Sequence, residues 1–138
     1  MLRRTIGWLA LVLASAIPAA DGAAQGDAQA SPSCLYLPMI DRTEIVDTRN
    51  ILFYMKDRTV YQNALPRACA TLEQTKPFLY RVGMNQICDL DMITVLEQWS
   101  IGFTPGETCG LGKFRLVNDA DIEALKAAAE AARAGAKK

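Results

Sequence analysis

The run NILFYMKDRTVYQNAL, residues 50–65, decides the fold class of this chain. We interpret its first part, residues 50–56, and its last part, residues 60–65, with the two-residue period of a β-strand, in which successive side chains lie on opposite faces. The first part places Ile51, Phe53 and Met55 on one face and Leu52 and Tyr54 on the other. Residues 56–59 between the two runs are polar and typical of a turn. The stretch therefore predicts an antiparallel β-hairpin.

Further runs outside this hairpin show the same period, and proline or glycine residues separate several of them. They are residues 44–47, 78–82, 92–98 and 113–117. Short alternating strands with such turns predict a mostly β domain, either a small antiparallel meander or a partly open barrel. We expect two disulfides to staple this domain and a C-terminal α-helix to follow it.

The chain divides into four predicted parts. They are a signal peptide at 1–24, a flexible arm at 25–33, a disulfide-stabilised β domain at 34–117 and an Ala-rich helical tail at 118–138. The first part has Arg3 and Arg4, then an apolar stretch, then small residues up to Ala24, as secretory signals do. The apolar stretch is shorter than the about 20 residues that span a bilayer. We expect a periplasmic or secreted protein without a stable membrane anchor.

The tail has the composition of a helix. Asn118 or Asp119 suits an N-cap, and Gly135 is expected to end the helix. Its apolar stripe is thin and consists of Ile122, Leu125 and Ala129. We therefore expect an exposed, fraying helix, the alternative being a helix that docks on the domain or on a partner.

Four cysteines carry the clearest chemical information, namely Cys34, Cys69, Cys88 and Cys109. An even number in a short exported chain predicts a disulfide framework. Spacing alone leaves three pairings open; we favour Cys69 with Cys88 and Cys34 with Cys109. A Cys-x-x-Cys pair is absent from the sequence, which disfavours a thioredoxin-type catalyst and a zinc ribbon.

Composition excludes several function classes. The 138 residues include no His, which removes Ser-His-Asp and Cys-His catalysis and His-based zinc sites. The 15 Lys and Arg residues balance 15 Asp and Glu residues, so the electrostatic signature of a nucleic-acid binder is missing. We expect no catalytic residue, no cofactor and no metal site.

Two weak motifs have simpler explanations. Residues 106–114 resemble a phosphate-binding loop, but five residues separate the outer glycines where four are required, and Phe114 replaces the Ser or Thr. A glycine-rich turn is the better interpretation. Asp89 and Asp91 form a carboxylate pair that suits acid–base chemistry or a cation, but we expect them to cap the turn before the strand at 92–98.

Aromatic residues offer a further candidate. Trp99 and Phe103, with Tyr36 and Tyr54 elsewhere, suit a ligand groove, but in so small a domain we expect them to pack in the core and at its rim. Nothing in the sequence brings Ser100 near a lysine to form a dyad. The segment 101–107 suits the inserting loop of an inhibitor.

Three cysteine-centred motifs resemble a known family. The first motif follows Cys34 and consists of Ile51-Leu-Phe53 and Tyr61-x-Asn63-x-Leu65-Pro66-x-x-Cys69. The second is Ile87-Cys88-x-x-Asp91-x-Ile93-x-Val95, and the third is Cys109-Gly-Leu-Gly112-x-Phe114. Together, over residues 34–117, they are similar to a family of small exported bacterial four-cysteine proteins of unknown function. The resemblance implies an envelope-facing or secreted domain and supplies no catalytic residues. Some such proteins are lipoproteins, whereas Cys34 here lacks the lipoprotein cleavage signal.

These observations favour a non-enzymatic binding or scaffolding domain of the cell envelope, with an envelope protein or ligand as partner and a monomeric state. The alternatives are a small hydrolase using Asp89 and Asp91, a thiol-redox enzyme using a labile disulfide, and an inhibitor of an exported enzyme.

Overall fold

The computed structural model describes residues 31–81 and 83–137. The predicted signal peptide 1–24, residues 25–30 of the predicted arm, Val82 of the strand predicted at 78–82, and Lys138 lie outside the described residues.

The described residues form nine strands, a single 3-10 turn at Leu37–Met39 and one helix. The strands are β1 (Cys34–Tyr36), β2 (Ile40–Ile45), β3 (Asn50–Met55), β4 (Val60–Ala64), β5 (Phe78–Tyr80), β6 (Gln86–Cys88), β7 (Met92–Trp99), β8 (Gly102–Gly110) and β9 (Phe114–Val117), and the helix is α1 (Asp119–Ala136). They build three antiparallel sheets, in the orders β1-β6, β2-β3-β4-β9 and β5-β7-β8. The predicted fold class, mostly β with open antiparallel sheets, two disulfides and a C-terminal helix, is confirmed.

The hairpin predicted at residues 50–65 is strands β3 and β4, with Asn50 opposite Ala64 and Tyr54 opposite Val60. The Met55 N–H donates to the Thr59 carbonyl at 2.9 Å, which closes the polar turn. Residues on both faces of β3 are buried, as its two apolar rows require. The hairpin therefore forms the centre of the domain.

One face of β3 belongs to the main core, where side chains from all three sheets meet. The fully buried members include Ile51, Phe53, Ile87, Ile93, Val95 and Phe114. The rings of Phe53 and Phe114 meet edge to face with centroids 5.4 Å apart, a favourable aromatic geometry. This core joins the sheets into one domain.

Helix α1 covers the other face of β3, packing Ile122 and Ala129 over Leu52. Its predicted N-cap is confirmed: Asn118 Oδ1 accepts from the Asp121 N–H at 2.9 Å. The expectation of an exposed, fraying helix is wrong, because the second apolar row of β3 needs a cover that this short stripe supplies. The helix also runs through Gly135 rather than ending there.

The disulfide pairing favoured from the sequence is wrong. Cys34 is bonded to Cys88 and Cys69 to Cys109. Strand pairing decides this, because β1 lies antiparallel to β6 with Cys34 directly opposite Cys88. Neither of these short strands is evident in the sequence pattern, so the sequence does not predict the strand register that places Cys34 opposite Cys88.

Strand β8 replaces the loop expected at residues 101–107. A register shift against β7 between Thr94 and Leu96 gives β8 one extra residue there. Gly106 lies in this bulge, where a Cβ atom would come within 2.9 Å of the Glu97 Cγ and 3.1 Å of the Val95 carbonyl oxygen. Proline and glycine residues thus mark an irregular strand instead of a loop.

Candidate functional site: an apolar hairpin tip

Strands β7 and β8 form a hairpin that extends beyond its sheet. Strand β5 pairs with β7 only from Ile93 to Val95, so the end of the hairpin is a ribbon of two strands. Trp99 lies opposite Gly102, and only two residues connect the strands. Gly102 has a φ of +121°, a conformation that residues with a Cβ rarely adopt. The tight turn gives this projection a defined shape.

The end of this hairpin, residues 98–106, is called the hairpin tip here. Its sequence, QWSIGFTPG, contains no charged residue, and all nine residues are exposed. The exposed fractions are 69% for Trp99, 101% for Ile101 and 54% for Phe103. Three large apolar side chains within five residues are left in water, although the domain has a core that buries other residues of this size.

The apolar side chains point in different directions. Side chains alternate along β7, so Trp99 shares a face with Val95, while Phe103 lies opposite Gln98 on the other face. Ile101 lies at the apex between them. The tip is therefore apolar on both faces and at its end. The expectation that Trp99 and Phe103 pack in the core or at its rim is wrong, because their strands extend past the sheet that would cover them.

The base of the hairpin is held by several interactions. Lys76 Nζ lies 3.1 Å from a Glu97 carboxylate oxygen and 3.4 Å from one of Glu73. The hydrogen bond to Glu97, followed by the nearby negative charges, raises the pKa of Lys76 despite its partial desolvation. On the other strand, Glu107 accepts hydrogen bonds from the N–H and hydroxyl of Thr71 at 3.0 and 3.1 Å. The Cys69–Cys109 bridge lies beside this contact, so the tip projects from a fixed base.

Asp89 and Asp91 lie in the turn before β7. Asp91 Oδ2 accepts from the Cys88 N–H at 2.7 Å, and the Asp89 N–H donates to the Ser33 carbonyl at 2.7 Å. Both residues hold the turn before β7, where Leu90 has a φ of +78°. The capping role expected from the sequence is confirmed for the Asp91 side chain, whereas Asp89 contributes its backbone N–H.

The other sequence candidates lie apart from one another. Residues 106–114 run from β8 into β9, where Gly112 exchanges two hydrogen bonds with the buried amide of Asn63. Ser100 lies in the turn of the hairpin tip. Tyr54 donates to Glu44 at 2.8 Å beneath the Arg42 guanidinium, beside the helix. Trp99 and Phe103 border one shallow depression at the hairpin tip, and Tyr54 lies apart from them.

Within the described residues, one cluster has the composition of a metal site, namely Cys69, Glu107 and Cys109. Its two sulfur atoms are bonded to each other, and Glu107 accepts from Thr71. A disulfide offers no thiolate ligand, so this cluster explains the anchoring of β8 and not metal binding.

Helix α1 is attached to the four-stranded sheet by an ion pair, with Lys126 Nζ 2.9 Å from Glu44 Oε1. Partial burial by itself raises the pKa of Glu44, but hydrogen bonds from Lys126 and Tyr54 and the charges of Lys126 and Arg42 outweigh it and lower that pKa. The same hydrogen bond raises the pKa of Lys126. These groups stabilise the docked helix.

No family model, curated protein or solved structure matches the chain. Within residues 31–81 and 83–137, no helix is long and apolar enough to cross a membrane. Two disulfides fit a chain that folds outside the cytosol.

Sequence reasoning identified the residues of the tip but not their exposure. The signal was present: residues 98–106 contain two aromatic residues and an isoleucine without a single charge. In the strands of a small open sheet, apolar residues on the core face normally alternate with charged or polar residues on the solvent face. An uncharged stretch at the end of a hairpin therefore indicates an exposed contact surface.

Proposed function

We propose that this protein is a non-enzymatic binding domain of the cell envelope, located in the periplasm or secreted, and that the hairpin tip is its binding element. The observation that carries the proposal is the exposure of Trp99, Ile101 and Phe103 on a projection with a fixed base. Exposed clusters of large apolar side chains mark interaction sites. The family resemblance over residues 34–117 and the signal-like residues 1–24 support the location.

Rigidity favours the tip as a binding element. A two-residue turn and a disulfide near the base limit the conformations of the free tip, so little entropy is lost when it binds. Aromatic residues at the centre of an interface supply large contact area at low conformational cost. The domain thus separates a buried scaffold from an exposed contact surface.

A photo-crosslinking residue placed at position 101 in the native host tests this proposal. We expect an adduct with an envelope component, and we expect the adduct to disappear when Trp99→Ser and Phe103→Ser are added. The matched control is the same residue at position 90, because Leu90 is also highly exposed but lies at the opposite end of β7. Equal adduct yields from positions 101 and 90 would contradict the proposal.

An inhibitor of an exported enzyme is the second candidate, since a projecting tip also suits insertion into an active-site cleft. Here the position-101 adduct should contain an exported hydrolase, and the purified protein should inhibit that hydrolase. Inhibition that survives Ile101→Ser argues against this candidate.

A further inference from the structure

We infer that the hairpin tip binds the surface of a zwitterionic phospholipid bilayer, with Trp99, Ile101 and Phe103 inserting to a shallow depth. This inference rests on the proposed function, because it names the occupant of the same tip. Four features of the tip carry it: the distribution of its apolar groups, the absence of charge, the limit that its backbone sets on depth, and the charges at its base.

The distribution of apolar groups fits a medium that surrounds the tip. Trp99 lies on one face of the ribbon, Phe103 on the other and Ile101 at the apex. All three residues border one shallow depression at the tip, but their side chains also present apolar surface outside it, which a flat protein surface on one side would leave in water. A lipid layer contacts an inserted hairpin on every side, so all three side chains leave water together.

The tip carries no group that is expensive to insert. A charged side chain in a bilayer is costly, and residues 98–106 contain none. The polar residues beside the apolar ones are Gln98, Ser100 and Thr104, which are neutral and suit the headgroup level. Tryptophan is itself enriched at the membrane–water interface, because its ring is amphipathic.

The backbone limits the depth of insertion. At the end of the hairpin β7 and β8 pair only with each other, so the outer edges of both strands keep unpaired N–H and C=O groups. Such groups are not tolerated in the hydrocarbon region. The turn and its three large side chains therefore enter the interface, and the rest of the ribbon stays in water.

The charges at the base select the headgroup. Glu73, Glu97 and Glu107 lie there with Lys76, and Arg67 lines the same cleft as Glu107. Binding to anionic lipids relies on a surplus of cations, whereas here carboxylates outnumber cations. Phosphatidylethanolamine and phosphatidylcholine carry no net charge, so their bilayers do not repel this base as anionic lipids would.

A second copy of the chain fits the tip less well. Adding a strand to the free edge of β8 requires a regular row of donors and acceptors. Pro105 lacks an N–H, and the bulge at Gly106 interrupts the ladder. Strand-to-strand association at β8 is thereby disfavoured.

The test uses the fluorescence of Trp99. The chain has two tryptophans, so Trp8→Phe in the full chain leaves Trp99 as the only fluorescent tryptophan. A change in emission then reports the surroundings of the tip, and adsorption of residues 1–24 alone to the vesicles does not produce it. The protein is titrated with vesicles of phosphatidylethanolamine and phosphatidylcholine, and separately with vesicles that contain phosphatidylglycerol. We expect a blue shift of Trp99 emission on the zwitterionic vesicles and quenching by a quencher attached near the top of the acyl chains.

Matched variants locate the contact. Ile101→Ser should lower the partition coefficient about tenfold or more, because the transfer of a full apolar side chain is lost. Leu90→Ser changes an 84% exposed leucine at the other end of β7 and should leave the coefficient within about twofold. Circular dichroism of both variants checks that they are folded.

Several outcomes overturn the lipid assignment. They are an unchanged Trp99 spectrum with zwitterionic vesicles, tighter binding to phosphatidylglycerol, equal partitioning of Ile101→Ser, and a blue shift that depends on protein concentration without vesicles, which indicates a second copy. A position-101 adduct that contains only protein also overturns it but leaves the proposed function intact. The lipid assignment and the proposed function are contradicted together only when the adduct yield from position 101 does not exceed that from position 90.

Discussion

The β3–β4 hairpin and the β7–β8 hairpin have the same topology and opposite surroundings. In the β3–β4 hairpin, the apolar rows of β3 are covered on one side by the main core and on the other by α1, and the turn residues 56–59 are charged or polar. In the β7–β8 hairpin, the core covers Ile93 and Val95 at the base, and the apolar residues of the tip are exposed. Apolar residues in the first hairpin stabilise the fold, whereas those in the hairpin tip are available for binding.

The largest expected effect comes from a matched pair of substitutions. Phe53→Ala removes a fully buried ring and should lower the free energy of unfolding by about 3–5 kcal/mol. Phe103→Ala removes the same ring from the tip and should change it by less than about 0.5 kcal/mol. Urea denaturation measures both. Similar losses for the two variants would abolish the distinction between the hairpins.

Removal of the disulfides sharpens the comparison. The cysteines are 54 and 40 residues apart in the two bridges, so the loss of either one should cost a similar about 4 kcal/mol in chain entropy. Both losses should speed hydrogen exchange throughout the domain, but only Cys69→Ser with Cys109→Ser should speed it more in β8 than in β3, because this bridge anchors the base of the β7–β8 hairpin. Equal acceleration of β8 in the Cys34→Ser, Cys88→Ser variant would show that the anchoring is not local.

Helix α1 covers one face of the β3–β4 hairpin, and no helix covers the tip of the β7–β8 hairpin in the described residues. The ion pair that attaches α1 to the sheet provides a test with a smaller expected effect on the free energy of unfolding. Glu44→Gln should lower the free energy of unfolding by about 1 kcal/mol at neutral pH, as expected for a partly buried pair. Glu130→Gln, on the exposed side of α1, is the control and should have no measurable effect. A larger loss for the control would place the docking contact elsewhere.

The contribution of this pair depends on pH with a defined sign. The pKa of Glu44 lies below its ordinary 4.5, so its stabilisation is present above that value and is lost as the pH falls through the lowered pKa. The pKa of Lys126 lies above its ordinary 10.5, so its stabilisation is present below that value and is lost as the pH rises through the raised pKa. The difference between wild type and Glu44→Gln should be constant between these limits and shrink outside them. A difference that instead grows in acid would contradict the assigned ion pair.

The sequence predicted the parts of the fold that depend on local pattern. The alternation at residues 50–65 predicted the central hairpin, and Asn118 predicted the start of the helix. The disulfide pairing and the docking of α1 depend on which strands become neighbours, and β1, β6 and β8 are too short or too irregular to show a period. Gly106 and Pro105 in particular made an irregular strand look like a loop.

The candidate site was predictable in composition but not in exposure. Trp99, Ile101 and Phe103 stood out in the sequence, yet burial depends on whether a neighbouring strand reaches them. Strand β5 begins at Phe78, opposite Val95, so it does not extend along β7 to the tip. The sequence therefore predicted packing for Trp99 and Phe103, whereas the structure leaves both in water.

The central claim is that the apolar tip does not belong to the folded core, and Trp99 fluorescence in the absence of vesicles tests it most directly. In the Trp8→Phe chain, the emission maximum of the native protein should be close to that of free tryptophan amide in water and should barely move on unfolding in urea. Acrylamide should quench it nearly as well before unfolding as after. A blue-shifted native emission that moves to longer wavelength on unfolding would show that Trp99 is buried, and would contradict the account.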